Sequence, residues 1–284
     1  MSAQSAQSAY GSVGKQQQAM GSGNVDSAAA RVGAALNVAV VTLLYGVAVA
    51  LFSAQLVRAW REVPLTNALG VVARNKYAVS ALVDYVAGVS FTALYILFVE
   101  EQVVPAVVIS MLSISLGNPV LLIYTLVRVW KFGSVSSGIL RQRTLSTDGS
   151  TTGRGGVPGL IPPKFSRVVS LVVLSFYVVL FVIFVLVCVD ALQTQPMRAG
   201  FAYIMSHGWA LTTWVDVLLG IMFVMSHVAV QRTLSVLQII CIWIALALFG
   251  HGVTLLYGIH LCFLSLAQPG RSLAEAFTES AEQE

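Results

Sequence analysis

Charged residues are scarce in this chain, and their scarcity excludes most soluble architectures. Only 10% of the 284 residues are Asp, Glu, Lys or Arg, whereas 57% are hydrophobic and the mean hydropathy is +0.83. A soluble domain carries about 25% charged residues. The few charges lie in short clusters between long uncharged stretches, which is the pattern of a polytopic membrane protein. We therefore predict an all-α protein in contact with the lipid bilayer.

Motifs for catalysis, metal binding and nucleic-acid binding are also missing. The chain has no G-x-S-x-G, H-E-x-x-H or Walker sequence, and its histidines and carboxylates lack metal-ligand spacing. Cys188, Cys241 and Cys262 lack the C-x-x-C spacing of a redox or zinc site. The net charge of +4 is not gathered on a basic soluble module. We expect no metal, no cofactor and no nucleic-acid partner, and a non-enzyme more readily than an enzyme.

Six apolar stretches are long enough to cross a bilayer, which takes about 20 residues. They cover residues 32–57, 77–99, 103–127, 168–189, 209–230 and 234–266. Residues 1–30 lack the apolar core of a signal peptide and predict a disordered tail. Residues 133–164, rich in Gly, Ser and Pro, predict a linker without a fold of its own. Residues 268–284 predict a short acidic tail with a frayed helix from Ser272 onward.

The second half of the chain repeats the first at an offset of 132 residues. Identical residues align in the second and fifth stretches, and a tyrosine aligns in the first and fourth. After one inserted residue, the third stretch aligns with the sixth. The aligned pairs are Tyr45 with Tyr177, Ala78 with Ala210, Val83 with Val215, Asp84 with Asp216, Gly88 with Gly220, Phe91 with Phe223, Gly117 with Gly250 and Tyr124 with Tyr257. We predict two three-helix units, residues 31–132 and 165–267. Three crossings per unit would make them an inverted-topology repeat.

The distribution of Lys and Arg predicts the orientation of six such crossings. The face that receives the loops after the first, third and fifth stretches carries twelve of them. The other face carries four: Lys15, Arg31, Arg198 and Arg271. Because positive loops stay in the cytosol, the linker is predicted to be cytosolic and both termini lumenal or extracellular.

The linker contains one candidate modification site. Arg141-Gln-Arg143-Thr-Leu-Ser146 has the basic-x-basic-x-x-Ser spacing that basophilic kinases of the cytosol accept. A phosphate on Ser146 would pair with the neighbouring arginines. The alternative is that a linker rich in Ser and Thr produces such a match by chance.

Asp84 and Asp216 are the most unusual residues of the apolar stretches. A carboxylate at the centre of a membrane helix costs about 3 kcal/mol on insertion scales, so it usually faces protein or water. In an inverted repeat the two would lie in opposite leaflets and could act as successive sites for a proton or cation. The alternative is that hydroxyls one turn earlier, Ser80 and the pair Thr212-Thr213, satisfy them by hydrogen bonds.

Paired helix breaks are the second unusual feature. The third stretch contains Gly117-Asn118-Pro119 and the sixth contains Gly250-His251-Gly252 at the matching place. A proline frees the carbonyl four residues back and bends the helix. Interruptions in corresponding helices indicate a midplane site in inverted-repeat transporters, with Asn118 and His251 as its polar groups. The alternative is that these small residues only let neighbouring helices pack closely.

Two short motifs carry a family resemblance. Residues 80–85, Ser-Ala-Leu-Val-Asp-Tyr, and 212–217, Thr-Thr-Trp-Val-Asp-Val, resemble a hydroxyl-x-x-Val-Asp-aromatic motif. It is typical of a plant and protist family of multi-span membrane proteins catalogued as a domain of unknown function. Val217 departs from its aromatic position. The resemblance implies a polytopic protein of a eukaryotic plasma membrane or endomembrane, without a known activity.

Three classes of function fit these residues. The first is a small secondary transporter for a solute or proton, with Asp84, Asp216, Asn118 and His251 along the pathway. The second is a non-catalytic scaffold or assembly subunit, in which both aspartates are satisfied individually. The third is an intramembrane enzyme acting on a lipid or isoprenoid, with the aspartates as general acid and base. Inversion disfavours the third class, because it separates the carboxylates by leaflet.

Overall fold

A computed structural model describes residues 33, 35–100, 102–140, 163–231, 234–268 and 272–278. This part of the chain consists of twelve helices and connecting turns. The first half contains α1 (Ala35–Glu62), α2 (Leu65–Val72), α3 (Lys76–Val99), α4 (Val103–Leu116), α5 (Asn118–Phe132) and α6 (Val135–Leu140). The second half contains α7 (Pro163–Thr194), α8 (Met197–Ser206), α9 (Gly208–Ala229), α10 (Val236–Phe249), α11 (His251–Ala267) and α12 (Leu273–Thr278).

Among the described residues, four helices are long and apolar enough to cross a membrane: α1, α3, α7 and α9. They contain the first, second, fourth and fifth stretches of the sequence analysis. About half of the apolar window of α3 and α9 is buried in the bundle, 56% and 61%, against 11% and 17% for α1 and α7. Thus α3 and α9 form the centre, and α1 and α7 lie outside with most of their surface available to lipid.

The two central helices run in the same direction. Ala78 and Ala210, near the starts of α3 and α9, lie in one apolar cluster. Tyr95 and Phe223, near the ends of the same helices, pack with ring centroids 4.9 Å apart. Residues that the offset of 132 aligns therefore lie at the same level. The predicted inversion is wrong, because inverted copies would bring the start of one helix to the end of the other.

The two outer helices run against the central pair. Ala59, near the end of α1, lies in the cluster that contains the starts of α3 and α9. Near the end of α7, the Asp190 carboxylate pairs with Lys76 at 2.7 Å. We call the end of the bundle where α3 and α9 finish the linker end. The end where they begin is the opposite end.

The third apolar stretch is a re-entrant pair of helices rather than a crossing. The first helix of the pair, α4, runs antiparallel to α3 toward the middle of the bundle, since the Ser110 hydroxyl donates to the Ala93 carbonyl at 3.1 Å. Going outward, α5 returns to the linker end. The Tyr124 hydroxyl there donates to the Glu100 carboxylate at 2.7 Å, and the Trp130 indole donates to Thr42 near the start of α1 at 2.8 Å.

The sixth apolar stretch folds in the same way. The Trp243 indole of α10 donates to the Met225 carbonyl of α9 at 3.0 Å, so α10 runs inward along α9. The outward helix α11 runs against α7 and brings Ser265 within 3.0 Å of Ser170 near the start of α7. Instead of the six predicted crossings, the described residues thus form four helices of crossing length and two re-entrant pairs. Hydropathy measures how apolar a stretch is but not whether its chain reverses direction.

Two short helices close the linker end. The Tyr95 hydroxyl donates to the Ile139 carbonyl of α6 at 2.6 Å, and His227 Nε2 donates to the Phe277 carbonyl of α12 at 3.1 Å. The start of the predicted linker and part of the predicted acidic tail are thus packed helices, because Ile139 and Phe277 bury their side chains completely. Residues 1–32, 141–162 and 279–284, and with them Ser146, lie outside the described residues.

The opposite end is closed by contacts between the halves. The Trp209 indole donates to the Val63 carbonyl at 2.8 Å, and the Tyr77 hydroxyl donates to the Gln195 carbonyl at 3.2 Å. Between the short helices α8 and α2, the Tyr203 hydroxyl donates to the Val71 carbonyl at 2.7 Å. These bonds hold the two halves together where α3 and α9 begin.

Arg128 anchors the return of α5, which makes it a direct test of the re-entrant fold. The guanidinium donates to the Gly138 carbonyl at 2.8 Å and lies 3.8 Å from Glu100, and the residue is 8% exposed. Replacing a buried charged donor leaves its acceptors unpaired, so we expect Arg128→Met to cost about 2–3 kcal/mol. Thermal unfolding in detergent measures the effect. Lys131→Met, at an exposed position of the same helix, is the matched control. An equal melting temperature for both variants would contradict this anchoring.

Candidate functional site

The two re-entrant pairs turn at glycines in a backbone conformation that glycine alone adopts readily. Gly117 has φ 85° and ψ −166°, and Gly250 has φ 60° and ψ −145°. Residues with a Cβ are almost excluded from this region. Pro119 follows in the first turn of α5, where a helix does not need the missing N–H. We expected Pro119 to bend a membrane-spanning helix, but it lies in the first turn of a new one. Gly252 likewise lies in the first turn of α11.

An aspartate from the other half of the chain caps each outgoing helix. The backbone N–H of His251, at the start of α11, donates to Asp84 Oδ1 at 2.7 Å. The backbone N–H of Asn118, at the start of α5, donates to Asp216 Oδ1 at 3.0 Å. The first N–H groups of a helix have no partner within the helix, and they carry a partial positive charge that favours an anion. Each carboxylate thus satisfies a helix start that would otherwise be unpaired inside the bundle.

The absence of a side chain at the turning glycines lets the carboxylates approach. A Cβ built on Gly117 would overlap the Asp216 carboxylate, and one built on Gly250 would overlap the Asp84 carboxylate. The glycines therefore have two functions at once. They permit the reversal of the backbone and they leave space for the cap.

Asp216 is held more completely than Asp84. Besides its backbone bond, Asn118 donates its side-chain amide to Asp216 Oδ2 at 3.2 Å and to the Asp216 carbonyl at 3.0 Å. Both carboxylate oxygens of Asp216 are thus occupied, and the residue is 3% exposed. Asp84 is only partly buried, and the His251 side chain does not reach its carboxylate. The two caps lie at one level of the bundle but differ in bonding.

The His251 imidazole lies between the central helices instead. Its Nε2 is 3.2 Å from the Val217 carbonyl, and its Nδ1 is 3.0 Å from the Thr254 hydroxyl. Because a carbonyl only accepts, Nε2 carries the hydrogen, and in the neutral ring Nδ1 accepts from Thr254. A Cβ on Gly88 or Gly220 would overlap the ring. These glycines therefore provide the space for the imidazole between α3 and α9.

One polar atom of this cluster has no partner. Asn118 Oδ1 is buried and accepts no hydrogen bond from the described residues. Buried polar atoms in folded proteins are paired in the large majority of cases. The unpaired oxygen marks a position beside Asp216 where a hydrogen-bond donor is favoured.

The four residues proposed from the sequence lie at one level of the bundle, in two cross-half pairs. The neighbouring hydroxyls do not bind the aspartates, because Ser80 donates to the Lys76 and Val187 carbonyls and Thr212 and Thr213 donate to carbonyls four residues back. Sequence reasoning did not identify Thr254 or the Val217 carbonyl as partners of His251. The i to i+3 spacing from His251 to Thr254 was the available signal for the hydroxyl. Nothing local indicates the carbonyl.

No group of three or more His, Cys, Asp or Glu side chains in the described ranges is arranged to hold a metal ion. The cluster contains two carboxylates, two helix starts, an imidazole and an amide. Such a set can bind a proton or exchange hydrogen bonds with a small polar solute. Comparison with known proteins gave no matching family model, no matching curated protein and no matching solved structure. The motif resemblance therefore does not extend to a family assignment.

The turning glycines allow a test of the capping geometry. Gly133 also has a positive φ, 68°, but a Cβ there meets nothing within 4 Å. We expect Gly133→Ala to cost about 1 kcal/mol for the left-handed backbone alone. Gly117→Ala and Gly250→Ala should cost about 3 kcal/mol or more, because they also displace a carboxylate from a helix start. Thermal unfolding in detergent gives the ranking. Equal losses at all three positions would show that the carboxylates do not constrain the turns.

Proposed function

We propose that this protein is a small membrane carrier whose pathway for a proton or small polar solute passes between the two re-entrant tips. The observation that carries the proposal is the meeting of both tips, Gly117-Asn118 and Gly250-His251, with Asp216 and Asp84 at one level inside the bundle. Irregular backbone at membrane depth is tolerated where it is buried in protein or lines a cavity. Half-helix ends pointing at the middle of a bundle are typical of transport sites.

An unpaired acceptor beside Asp216 offers a position for a bound hydrogen-bond donor, and it is one of seven buried side-chain atoms of the described residues without a partner. The large majority of buried polar atoms in folded proteins have a partner in the protein or in ordered water. Asn118 Oδ1 accepts no hydrogen bond from the described residues, although the Asn118 amide nitrogen donates two hydrogen bonds and both carboxylate oxygens of Asp216 accept one. A solute or water that donates a hydrogen bond at this position would complete the pairing.

The proposal includes an internal duplication with parallel rather than inverted copies. Its support is a set of hydrogen bonds that recur at offsets of 132, 133 or 138 residues, even where the donor residue differs. Such copies are related by an axis along the membrane normal. The recurring bonds are Tyr77 to Gln195 and Trp209 to Val63, Ser110 to Ala93 and Trp243 to Met225, and Tyr95 to Ile139 and His227 to Phe277.

This arrangement changes the proposed orientation. With four crossings, the segments before α1, between α6 and α7, and after α12 all attach at the linker end. The linker and the termini, predicted from the sequence to lie on opposite sides of the membrane, are thus proposed to lie on the same side. Eleven of the 16 Lys and Arg residues attach at that end; the five at the opposite end are Arg58, Arg61, Arg74, Lys76 and Arg198. By the positive-inside rule, the linker and both termini are cytosolic.

A scaffold is the second candidate, and Asp216 is the observation that favours it. All of its carboxylate oxygens are engaged by Asn118, as expected of a residue whose only function is to cap a helix. The intramembrane enzyme remains third. Inversion no longer argues against it, but each carboxylate is bound to a different helix start.

Proton flux tests the carrier directly. Purified protein in liposomes with a pH gradient should acidify the lumen faster than empty liposomes, as measured by a trapped pH-sensitive dye. Asp84→Asn combined with Asp216→Asn should abolish the difference while the protein remains monodisperse. Asp190→Asn is the matched control, because Asp190 forms an ion pair with Lys76 and its own side chain is 47% exposed. Unchanged flux in the double variant would exclude these aspartates from the pathway and favour the scaffold.

Side-specific labelling tests the orientation. With the three cysteines replaced by Ala, we expect an impermeant maleimide to label Arg74→Cys from outside sealed, right-side-out membranes. Ser5→Cys and Ser150→Cys should react only after permeabilisation. Labelling of Ser5→Cys and Ser150→Cys from different sides would overturn the four-crossing topology. Labelling of both from outside would overturn the orientation alone.

A further inference from the structure

The two aspartates occupy equivalent positions, yet the chain treats them differently. Asp216 receives three hydrogen bonds from Asn118, two of them on its carboxylate. Asp84 receives the backbone bond of His251 on Oδ1, and no described side chain donates to Oδ2. The difference comes from the residue after the turning glycine, which is an amide in the first half and an imidazole in the second.

The imidazole cannot act as the amide does, because it is committed elsewhere. His251 Nε2–H is bonded to the Val217 carbonyl and Nδ1 to Thr254. The amide of Asn118, in contrast, folds back on the residue that caps its own helix. As a result, release of Asp216 breaks both carboxylate bonds, whereas release of Asp84 breaks one.

We propose that Asp84 is the exchangeable group of this site and that Asp216 is a fixed positioning residue. Protonation of Asp84 weakens its bond to the start of α11, since a neutral carboxyl group interacts less with the helix dipole than a carboxylate does. The backbone of the second re-entrant tip is then held to the central helices mainly through the His251 bond to the Val217 carbonyl, while the Asp216–Asn118 pair still holds the first tip. The assignment rests on the proposed carrier function and adds which half of the site changes during transport.

The surroundings of Asp84 are compatible with exchange. From α11, the His251 ring is turned away from the carboxylate, toward the Val217 carbonyl and the Thr254 hydroxyl. From α7, the Cys188 thiol lies within electrostatic range and contacts Ser80. Among the described residues, no Lys or Arg forms an ion pair with Asp84, and the nearest such pair on these helices, Lys76 with Asp190, lies two turns toward the opposite end. No basic residue therefore fixes the charge of Asp84.

Carbodiimide labelling of the wild-type protein tests the assignment without requiring a variant to fold. A hydrophobic carbodiimide adds to a protonated carboxyl group in apolar surroundings: the acid proton moves to a carbodiimide nitrogen, the carboxyl oxygen bonds to carbon, and the O-acylisourea rearranges to a stable N-acylurea without a leaving group. Dicyclohexylcarbodiimide is applied to the full chain in liposomes at several pH values. Peptide mass spectrometry then compares modification of Asp84 and Asp216.

We expect Asp84 to be modified about tenfold faster than Asp216, because Asp216 must first lose its additional hydrogen bonds, and we expect the modification of Asp84 to fall as pH rises. In Asp216→Asn, labelling of Asp84 should persist. Equal or faster labelling of Asp216, or no labelling of Asp84 at any pH, overturns the assignment. Selective labelling of Asp84 in a protein that gives no proton flux contradicts the carrier but not the assignment, so the two failures are distinguishable.

Discussion

The reciprocal capping of two helix starts is the interaction on which the rest of this structure depends. In water, the first N–H groups of a helix lose little when they face solvent. Within the hydrocarbon core of a membrane, each unsatisfied group costs several kcal/mol. A helix that begins at mid-depth therefore needs an acceptor in place, and here each half of the chain supplies it to the other through Asp84 and Asp216. Neither re-entrant pair is complete without the opposite half.

This reciprocal capping explains several features that otherwise look unrelated. The turning residues are glycines because the backbone must reverse and a carboxylate must come close. Because the central helices α3 and α9 run parallel, both aspartates lie at the level of the tips. Small residues face the cluster, since Gly88 and Gly220 accommodate the His251 ring. The unusual composition of the site thus follows from a single requirement of hydrogen bonding.

Much of this could be predicted from the sequence, but the direction of the chain could not. Low charge and long apolar stretches predicted a multi-span helical protein, and the matched Gly117 and Gly250, with Asp84 and Asp216, drew attention to the residues that meet. Asp84 and Asp216 are each far in sequence from the helix starts that they cap, so their partners are set by tertiary packing. The prediction of an inverted repeat was wrong for a related reason. A stretch such as residues 103–127 is apolar whether it crosses or returns, and only contacts such as Tyr124 with Glu100 distinguish the two.

For the proposed carrier, the differences between the halves matter more than their similarity. Two identical halves would bind both caps equally and give a symmetric, static core. Here one tip begins with Asn118, which folds onto its own capping residue, and the other begins with His251, which packs between the central helices. At the linker end, the first return helix is held by Arg128 and Glu100, whereas the position that aligns with Arg128 in the second is Leu261. Both differences give the first re-entrant pair hydrogen bonds or ion pairs that have no counterpart at the matching positions of the second. A site that must change state benefits from one fixed side and one movable side, because the fixed side preserves the geometry to which the movable side returns.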